Sequence, residues 1–299
     1  VQIAVQVAGM GYVDALVSRG LYQVKPPVPY CPGLEIAGTV SKVGAQVQSV
    51  EVGDKVCASA FGGALAEYAV VPETVVQAVP EVLDLKVAAG FVVNYTTAWH
   101  GLLDRGQLKA GETVLVLGAA GGVGVAAVQV ARLAGANVIA GASTPEKRAY
   151  AEENGAHVSI DYTKKDWRDE LKALTAGRGV DVVFDPVAGS LLQPAFRSLG
   201  WRGRYLVVGF AGGEIPALPV NLALLKGSAL IGVDYRQFGS VFEAENATAV
   251  RNALFAAVER GDLVPPSGTE FAFADYREAM NLAASRDGLG KTVVLVSEV

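Results

Sequence analysis

The stretch Thr113-Val114-Leu115-Val116-Leu117-Gly118-Ala119-Ala120-Gly121-Gly122-Val123-Gly124, running on to Ala134, is the key to this chain. Thr113 to Leu117 is a short β-branched and leucine run, the pattern of a strand buried on both faces. Gly121, Gly122 and Gly124 then open a helix that continues through Val128 and Val130. A strand, a tight glycine turn and a helix N-terminus together present unpaired backbone N–H groups to a diphosphate. In such a turn Gly121 lets the backbone approach the phosphates, and Gly124 lets the helix lie close on the strand. Ala120 and Val123 complete it. The spacing is A-x-G-x-x-G, with Ala119 where the usual first glycine stands, and by itself it fits an ordinary glycine-rich turn equally well.

The residues that follow separate the two readings. A strand at 137–141 comes after a Gly135 helix stop, and a helix from Pro145 to Asn154 has Thr144 as N-cap and Gly155 as C′. Strand 157–160, a helix around 167–174, strand 180–185, a helix near 190–199 and strand 204–209 continue the alternation. Unbroken alternation predicts a doubly wound parallel α/β sheet, with the glycine turn after its first strand. A dinucleotide is the expected ligand. NAD enzymes of this fold usually place an Asp or Glu about 20 residues beyond the turn. Here that strand ends Ala140-Gly141-Ala142-Ser143-Thr144, without an acid, and Lys147 and Arg148 stand one helical turn on. Hydroxyls and cations suit a 2′-phosphate, so the expected cofactor is NADPH; an ordinary solvated face is the alternative for the two cations. Val208-Gly209-Phe210 and Asp185-Pro186-Val187, at strand ends, are expected to line the cofactor crevice. Asp185 has the alternative of merely ending its strand.

Composition narrows the class. The 299 residues are 51% hydrophobic and 18% charged, with net charge −5, enough for two domains with substantial cores. No basic stripe for nucleic acid exists. Two cysteines, Cys31 and Cys57, make no disulfide framework and suit a reducing cytoplasm. No charge falls between Thr113 and Ala131, but the glycines and the strand–helix pattern argue against a membrane span. The chain opens on an alternating strand, Val1 to Ala8, with no basic leader and no Met, as though it began inside a fold.

The ends have another texture. Asp14 is placed to cap a short helix, Ala15 to Ser18, and a proline-rich loop runs from Lys25 to Gly33. Short strands are expected at 35–43, 55–59, 66–70 and 75–79, punctuated by glycine and proline turns, which predicts a small, partly open β-barrel. Helices are expected at 81–89, 93–103, 247–260 and 276–284, with strands at 230–233 and 291–296. A nucleotide domain, residues 94–235, is therefore expected within a second domain built from 1–93 and 236–299.

Pro32-Gly33-Leu34-Glu35-Ile36-Ala37-Gly38, Gly53-Asp54-Lys55-Val56, Gly63-Ala64-Leu65-Ala66-Glu67-Tyr68, Thr97-Ala98-Trp99, Gly118 to Gly124 and Gly290-Lys291-Thr292-Val293 recur in order along nearly the whole chain. In these motifs the chain resembles the zinc-free quinone oxidoreductases, the zeta-crystallin-like group of the medium-chain dehydrogenase/reductase superfamily. The resemblance implies a GroES-like, partly open barrel as catalytic domain around a Rossmann domain, a homodimer, and about one strand pair before Val1. Zinc members of the superfamily need converging Cys and His ligands. This chain has only His100 and His157, and Gly33-Leu34-Glu35 stands where alcohol dehydrogenases have Gly-His-Glu, so no zinc is expected.

Hydride transfer into an electrophilic π-system remains: a quinone, or the β-carbon of an enone. The resulting enolate needs a hydrogen-bond donor and later a proton. The resemblance implies Tyr22, Asn94, Tyr95 and Thr97 as active-site groups, with Thr97 also at the nicotinamide. It implies Ser143, Lys147 and Tyr162 around the adenosine 2′-phosphate, and Lys291 as a further site residue. Each has a plain alternative: a lid aromatic for Tyr22, an N-cap for Asn94, a seam aromatic for Tyr95, a backbone-bonded hydroxyl for Thr97, an ion pair for Lys291. The family often has Asn-Pro before the position of Asp14, where this chain has Gly11-Tyr12. An enoyl-thioester reductase, with Arg19, Lys25, Arg236 and Arg251 as candidate entrance cations, and a non-catalytic NADPH-binding relative stand as alternative functions.

Overall fold

A computed structural model describes residues 1–297; residues 298 and 299, the end of the expected C-terminal segment, lie outside the described residues. In chain order the elements are β1 (Gln2–Met10), α1 (Tyr12–Ser18), β2 (Glu35–Lys42), β3 (Lys55–Ser59), β4 (Tyr68–Val70), β5 (Val76–Ala78), α2 (Leu85–Ala88) and α3 (Val92–Trp99). Then come β6 (Thr113–Leu117), α4 (Gly122–Leu133), β7 (Asn137–Ala142), α5 (Pro145–Glu153), β8 (Val158–Asp161), α6 (Trp167–Leu174), β9 (Val180–Asp185), α7 (Leu192–Arg197), β10 (Leu199–Val207), α8 (Asn221–Lys226) and β11 (Ala229–Gly232). The chain closes with α9 (Tyr235–Gln237), α10 (Ala244–Glu259), β12 (Thr269–Ala272), α11 (Tyr276–Ala284) and β13 (Thr292–Leu295).

Two compact units result, one of Val1–Asn94 with the residues from Ala253 onward, the other of Tyr95–Asn252. The sequence set the second crossing at 235/236; residues 236–252 group with the nucleotide unit. In the first unit the strands follow the order β12-β13-β1-β2-β3-β5, and β4 also pairs with β1. The first residues of β1 bond β2 on one side and β4 on the other, so Gln2 faces both Lys42 and Val70 and the sheet curls around them. Ile3, Val5, Met10, Ile36, Val40, Val56, Val76 and Val294 fill its interior. This is the GroES-like domain.

The second unit is a six-stranded parallel sheet in the order β11-β10-β9-β6-β7-β8. Its strand order reverses between β6 and β9, where a doubly wound sheet opens its ligand crevice. Leu115, Val183, Phe196, Leu199 and Tyr205 are wholly buried beside it. Strong side-chain burial on both faces of β6 explains its unbroken apolar run.

Several boundaries differ from the sequence reading. Helix α1 begins at Tyr12, with Gly11 as N-cap, and Asp14 sits inside the first turn, where its Oδ2 accepts the Gly11 amide at 2.7 Å. The carboxylate still caps, from the third helical position rather than from ahead of the helix. Helix α2 is short because Asp84 caps it at Lys86. After Trp99 the expected helix continues as a π-turn, His100–Arg105. Strand β10 starts at Leu199, paired with Val180, and breaks register before Arg204, where Arg202 takes φ 61°.

Candidate cofactor and active site

In the nucleotide unit the glycine turn follows from three local demands. Gly118 adopts φ 60°, a left-handed conformation that a side chain disfavours, and a Cβ there would lie 2.8 Å from Val187 Cγ2. Gly124 faces the Gly118 carbonyl, and a Cβ on it would collide with that oxygen. Gly121 differs. Its backbone is extended, and a Cβ would meet nothing nearer than the Gly118 oxygen at 3.5 Å. Neither backbone nor packing requires glycine at 121, so the bare Cα there suits a group from outside the chain, and an anion at the N-terminus of α4 meets that description.

At the end of β7 the Thr144 hydroxyl accepts the Lys147 amide at 3.3 Å and caps α5, leaving Ser143 and Lys147 half-buried on either side of the cap. Arg148 is committed elsewhere: its guanidinium lies 3.1 Å from Asp161 Oδ2. Tyr162 follows β8, and its ring edge would lie 3.3 Å from a Cβ on Gly141.

Asp185 is completely buried. Its Oδ1 accepts the amides of Val187 (2.7 Å) and Ala188 (2.8 Å), and its Oδ2 accepts the Tyr205 hydroxyl. Burial pushes the carboxyl above its ordinary range, with Tyr205 and the two amides opposing. Asp185 therefore builds the loop that presses Val187 on Gly118, with its oxygens used within the protein. Ala188 pays for that loop with φ 55° and ψ −128°. Val208 and Gly209 extend from β10 along it, donating to the Asp185 carbonyl at 3.0 and 3.4 Å, and Phe210 comes next.

Tyr95 is buried, and its hydroxyl donates to Gln129 Oε1 at 2.8 Å, tying α3 to α4. Burial, with Tyr150 nearby, pushes this phenol up, so it stays protonated. Thr97 is buried on the same helix. His100 is packed: it stacks on Phe238 with ring centroids 4.0 Å apart, and its Nδ1 lies 2.8 Å from Asp104 Oδ2. Burial draws its pKa down despite Asp104.

In the barrel unit, Tyr22 stacks on Phe61 with centroids 6.2 Å apart. Asn94 donates its side-chain amide to the Gly90 carbonyl at 2.9 Å. Lys291, expected at the site, gives its ammonium to the buried Glu35 carboxylate, whose other oxygen accepts the Val93 amide at 2.9 Å. The structure thus adds Glu35 and Gln129, neither singled out as a site residue in the sequence. Their partners lie 34 to 256 residues away, and no local pattern announces them. Among the described residues no group of three or more His, Cys, Asp or Glu side chains could hold a metal ion, and no helix is long and apolar enough to cross a membrane.

A GroES-like domain joined to a six-stranded Rossmann sheet with this turn defines a medium-chain dehydrogenase/reductase. Residues 1–81 match the alcohol dehydrogenase GroES-like domain, and 122–253 match the domain described as zinc-binding dehydrogenase. A quinone oxidoreductase-like protein 2 homolog of Nematostella vectensis is 35% identical over 98% of this chain and 81% of its own length. Human quinone oxidoreductase is 34% identical over 99% and 89%. Among solved structures, the quinone oxidoreductase of Thermus thermophilus, also determined with NADPH, superposes at TM-score 0.84 with 31% identity, covering 99% of this chain and 91% of that one. The Escherichia coli quinone oxidoreductase complexed with NADPH gives 0.89 at 26% identity, covering 98% and 90%. The CurK enoyl reductase gives 0.88 at 26%, covering 99% and 90%. The chain belongs to the zeta-crystallin-like quinone oxidoreductase family of the medium-chain dehydrogenase/reductase superfamily.

Proposed function

We propose that this protein is an NADPH-dependent, zinc-independent reductase of quinones or α,β-unsaturated carbonyls. The observation that carries the reading is the contrast within the glycine turn: Gly118 and Gly124 are required by the protein itself, Gly121 is not. Bound NADPH supplies the hydride. The amides of Ala120, Gly122, Val123 and Gly124 receive the diphosphate at the start of α4, and Gly121, whose own amide donates to the Gly118 carbonyl at 3.0 Å, contributes its bare Cα. Ser143, Lys147 and Tyr162 hold the 2′-phosphate end, where an acid is missing. Val208, Gly209 and Phe210, with the loop shaped by Asp185, wall the crevice. Thr97 is assigned to the nicotinamide end, and Tyr22 and Asn94 to the substrate, with the Tyr22 hydroxyl as donor to its developing oxyanion. Tyr95 contributes its ring, because its hydroxyl already serves Gln129.

Likeness to the CurK enoyl reductase keeps an enoyl thioester in view as second substrate class. Of the four cations considered for it, Arg251 is buried with Nη2 on the Thr248 hydroxyl at 2.7 Å, which removes it from any entrance. A homodimer is part of the reading. It is supported by the edge strand β11, by exposed Leu224, Leu225 and Leu230, and by exposed Trp201 lying over Gly227. Two cysteines held as thiols suit a cytoplasmic setting. The deciding experiment titrates NADPH and NADH by nicotinamide fluorescence, then assays a quinone, an enone and crotonyl-CoA. NADPH preference with quinone or enone turnover supports the reading. Turnover of crotonyl-CoA alone selects the thioester, and tight NADPH binding without any turnover selects the non-catalytic relative.

A further inference from the structure

The Lys291 side chain runs through a passage walled by glycines. A Cβ on Gly90 would collide with its Cγ, one on Gly9 would lie 3.1 Å from its Cε, and one on Gly11 would lie 3.6 Å from its ammonium. None of the three glycines has a positive φ, so at Gly90 and Gly11 the backbone does not call for glycine. At the end of the passage the ammonium meets Glu35 Oε2, while Glu35 Oε1 accepts the Val93 amide. Val93 is the second residue of α3, and a helix start leaves such amides unpaired. The preceding residues Ala89, Gly90 and Phe91 carry no side-chain acceptor, so the cap is brought from β2, 58 residues away.

Asp14 lies across Gly11 from the same ammonium: a Cβ on Gly11 would be 3.5 Å from Asp14 Oδ2. Asp14 is buried, and its Oδ1 has no hydrogen-bond partner. Lys291, Glu35 and Tyr30 are the titratable groups that face it. Two buried carboxylates therefore lie near one cation, which pairs with Glu35 and acts on Asp14 through space, and removing it would leave both without it.

We propose that Lys291 and Glu35 are positioning residues that hold the start of α3, and with it Asn94, and that Asp14 competes for the Lys291 ammonium. Ionised Asp14 draws the ammonium away from Glu35 and loosens the Val93 cap; protonated Asp14 leaves the cap intact. The link to catalysis rests on the proposed role of Asn94, the cap itself does not. Burial raises the Asp14 pKa to about 6, which puts the exchange between the two states in a usable range.

Hydrogen exchange on the full chain without cofactor tests this, read on peptides covering Val93 and Asn94 and corrected for intrinsic rates. K291M is expected to speed exchange there by at least about tenfold, as loss of a charged hydrogen bond does, with the 137–153 region unchanged. K291R is expected to restore the wild-type rate. E35Q, which keeps its volume, should also speed exchange and serves if K291M does not fold. In the wild type the rate should rise from pH 5 to 7, and in D14N it should stay flat. With a quinone, K291M should raise KM while NADPH affinity holds. Unchanged exchange in E35Q or K291M, or pH dependence persisting in D14N, overturns the proposal. So does a loss of NADPH affinity in K291M without faster exchange, which would make Lys291 a phosphate contact. If the wild type reduces no quinone or enone, the functional reading fails while the exchange contrast still decides the cap.

Discussion

Gly124 lies so near Gly118 that a Cβ on it would collide with the Gly118 carbonyl oxygen and stand 2.9 Å from the Ala119 Cα, whereas a Cβ on Gly121 meets nothing closer than 3.5 Å. One turn thus contains a glycine the fold needs and a glycine it does not. G124A is expected to lose about 1–3 kcal/mol of stability through overpacking, seen as a lowered thermal midpoint. G121A is expected to keep its midpoint but lose NADPH affinity by about tenfold or more, since its methyl group occupies the approach to the helix N-terminus. Normal NADPH binding by G121A would remove the main support for the cofactor reading.

The 2′-phosphate reading depends on Lys147, because Arg148 is paired with Asp161. K147A should weaken NADPH by about ten- to a hundredfold, the worth of one charge-assisted contact, and leave NADH nearly unchanged. R148A should change the preference far less. Equal losses for both nucleotides in K147A would place the lysine away from the 2′-phosphate.

Asp14 makes stability pH-dependent. Its pKa is about 6 in the folded protein against an ordinary 3.8, so the folded state binds the proton more tightly. Its contribution is harmless below about pH 4, worsens as pH rises, and above about pH 6 amounts to a penalty of about 2–3 kcal/mol. D14N should therefore match the wild type near pH 4 in urea unfolding and exceed it at pH 7. Parallel curves across that range would contradict the burial argument.

Around Asp185 the loop is held by three hydrogen bonds to one carboxylate. Y205F leaves Oδ2 without its donor and should cost about 1–3 kcal/mol in denaturant unfolding. A188G relieves a backbone conformation that alanine disfavours, and should add up to about 1 kcal/mol after the entropy of the new glycine is counted. A destabilised A188G would show that its backbone is relaxed in solution.

The apolar edge at β11 leads to a prediction about assembly. The wild type should sediment as a dimer, and L230R combined with W201S should shift it toward monomer at micromolar concentration, because a charge on an edge strand opposes pairing. An unaltered dimer would place the interface elsewhere.

Much of the nucleotide unit was legible in the sequence because its order is local. Helix α6, strand β9 and the capping of α5 by Thr144 fall where alternation and turn residues put them. The glycine turn and the short barrel strands were legible in the same way, from apolar runs and the glycine and proline turns that bound them. At β10 a boundary moved through a pairing distant in sequence, because Leu199 finds Val180, whereas α1 and α2 moved through the local carboxylates Asp14 and Asp84.

Side-chain roles were far less legible. Tyr95, Asp185 and Lys291 all stand at positions where a site residue is expected, yet their polar atoms end on Gln129, on Tyr205 with two loop amides, and on Glu35. Periodicity, glycine spacing and capping residues determined the class of fold and the expected cofactor, because each acts over a few residues of chain. Only the tertiary structure decided which charged and hydroxyl groups remain for ligands, because burial makes each polar atom take whatever partner the packing brings, however distant in sequence.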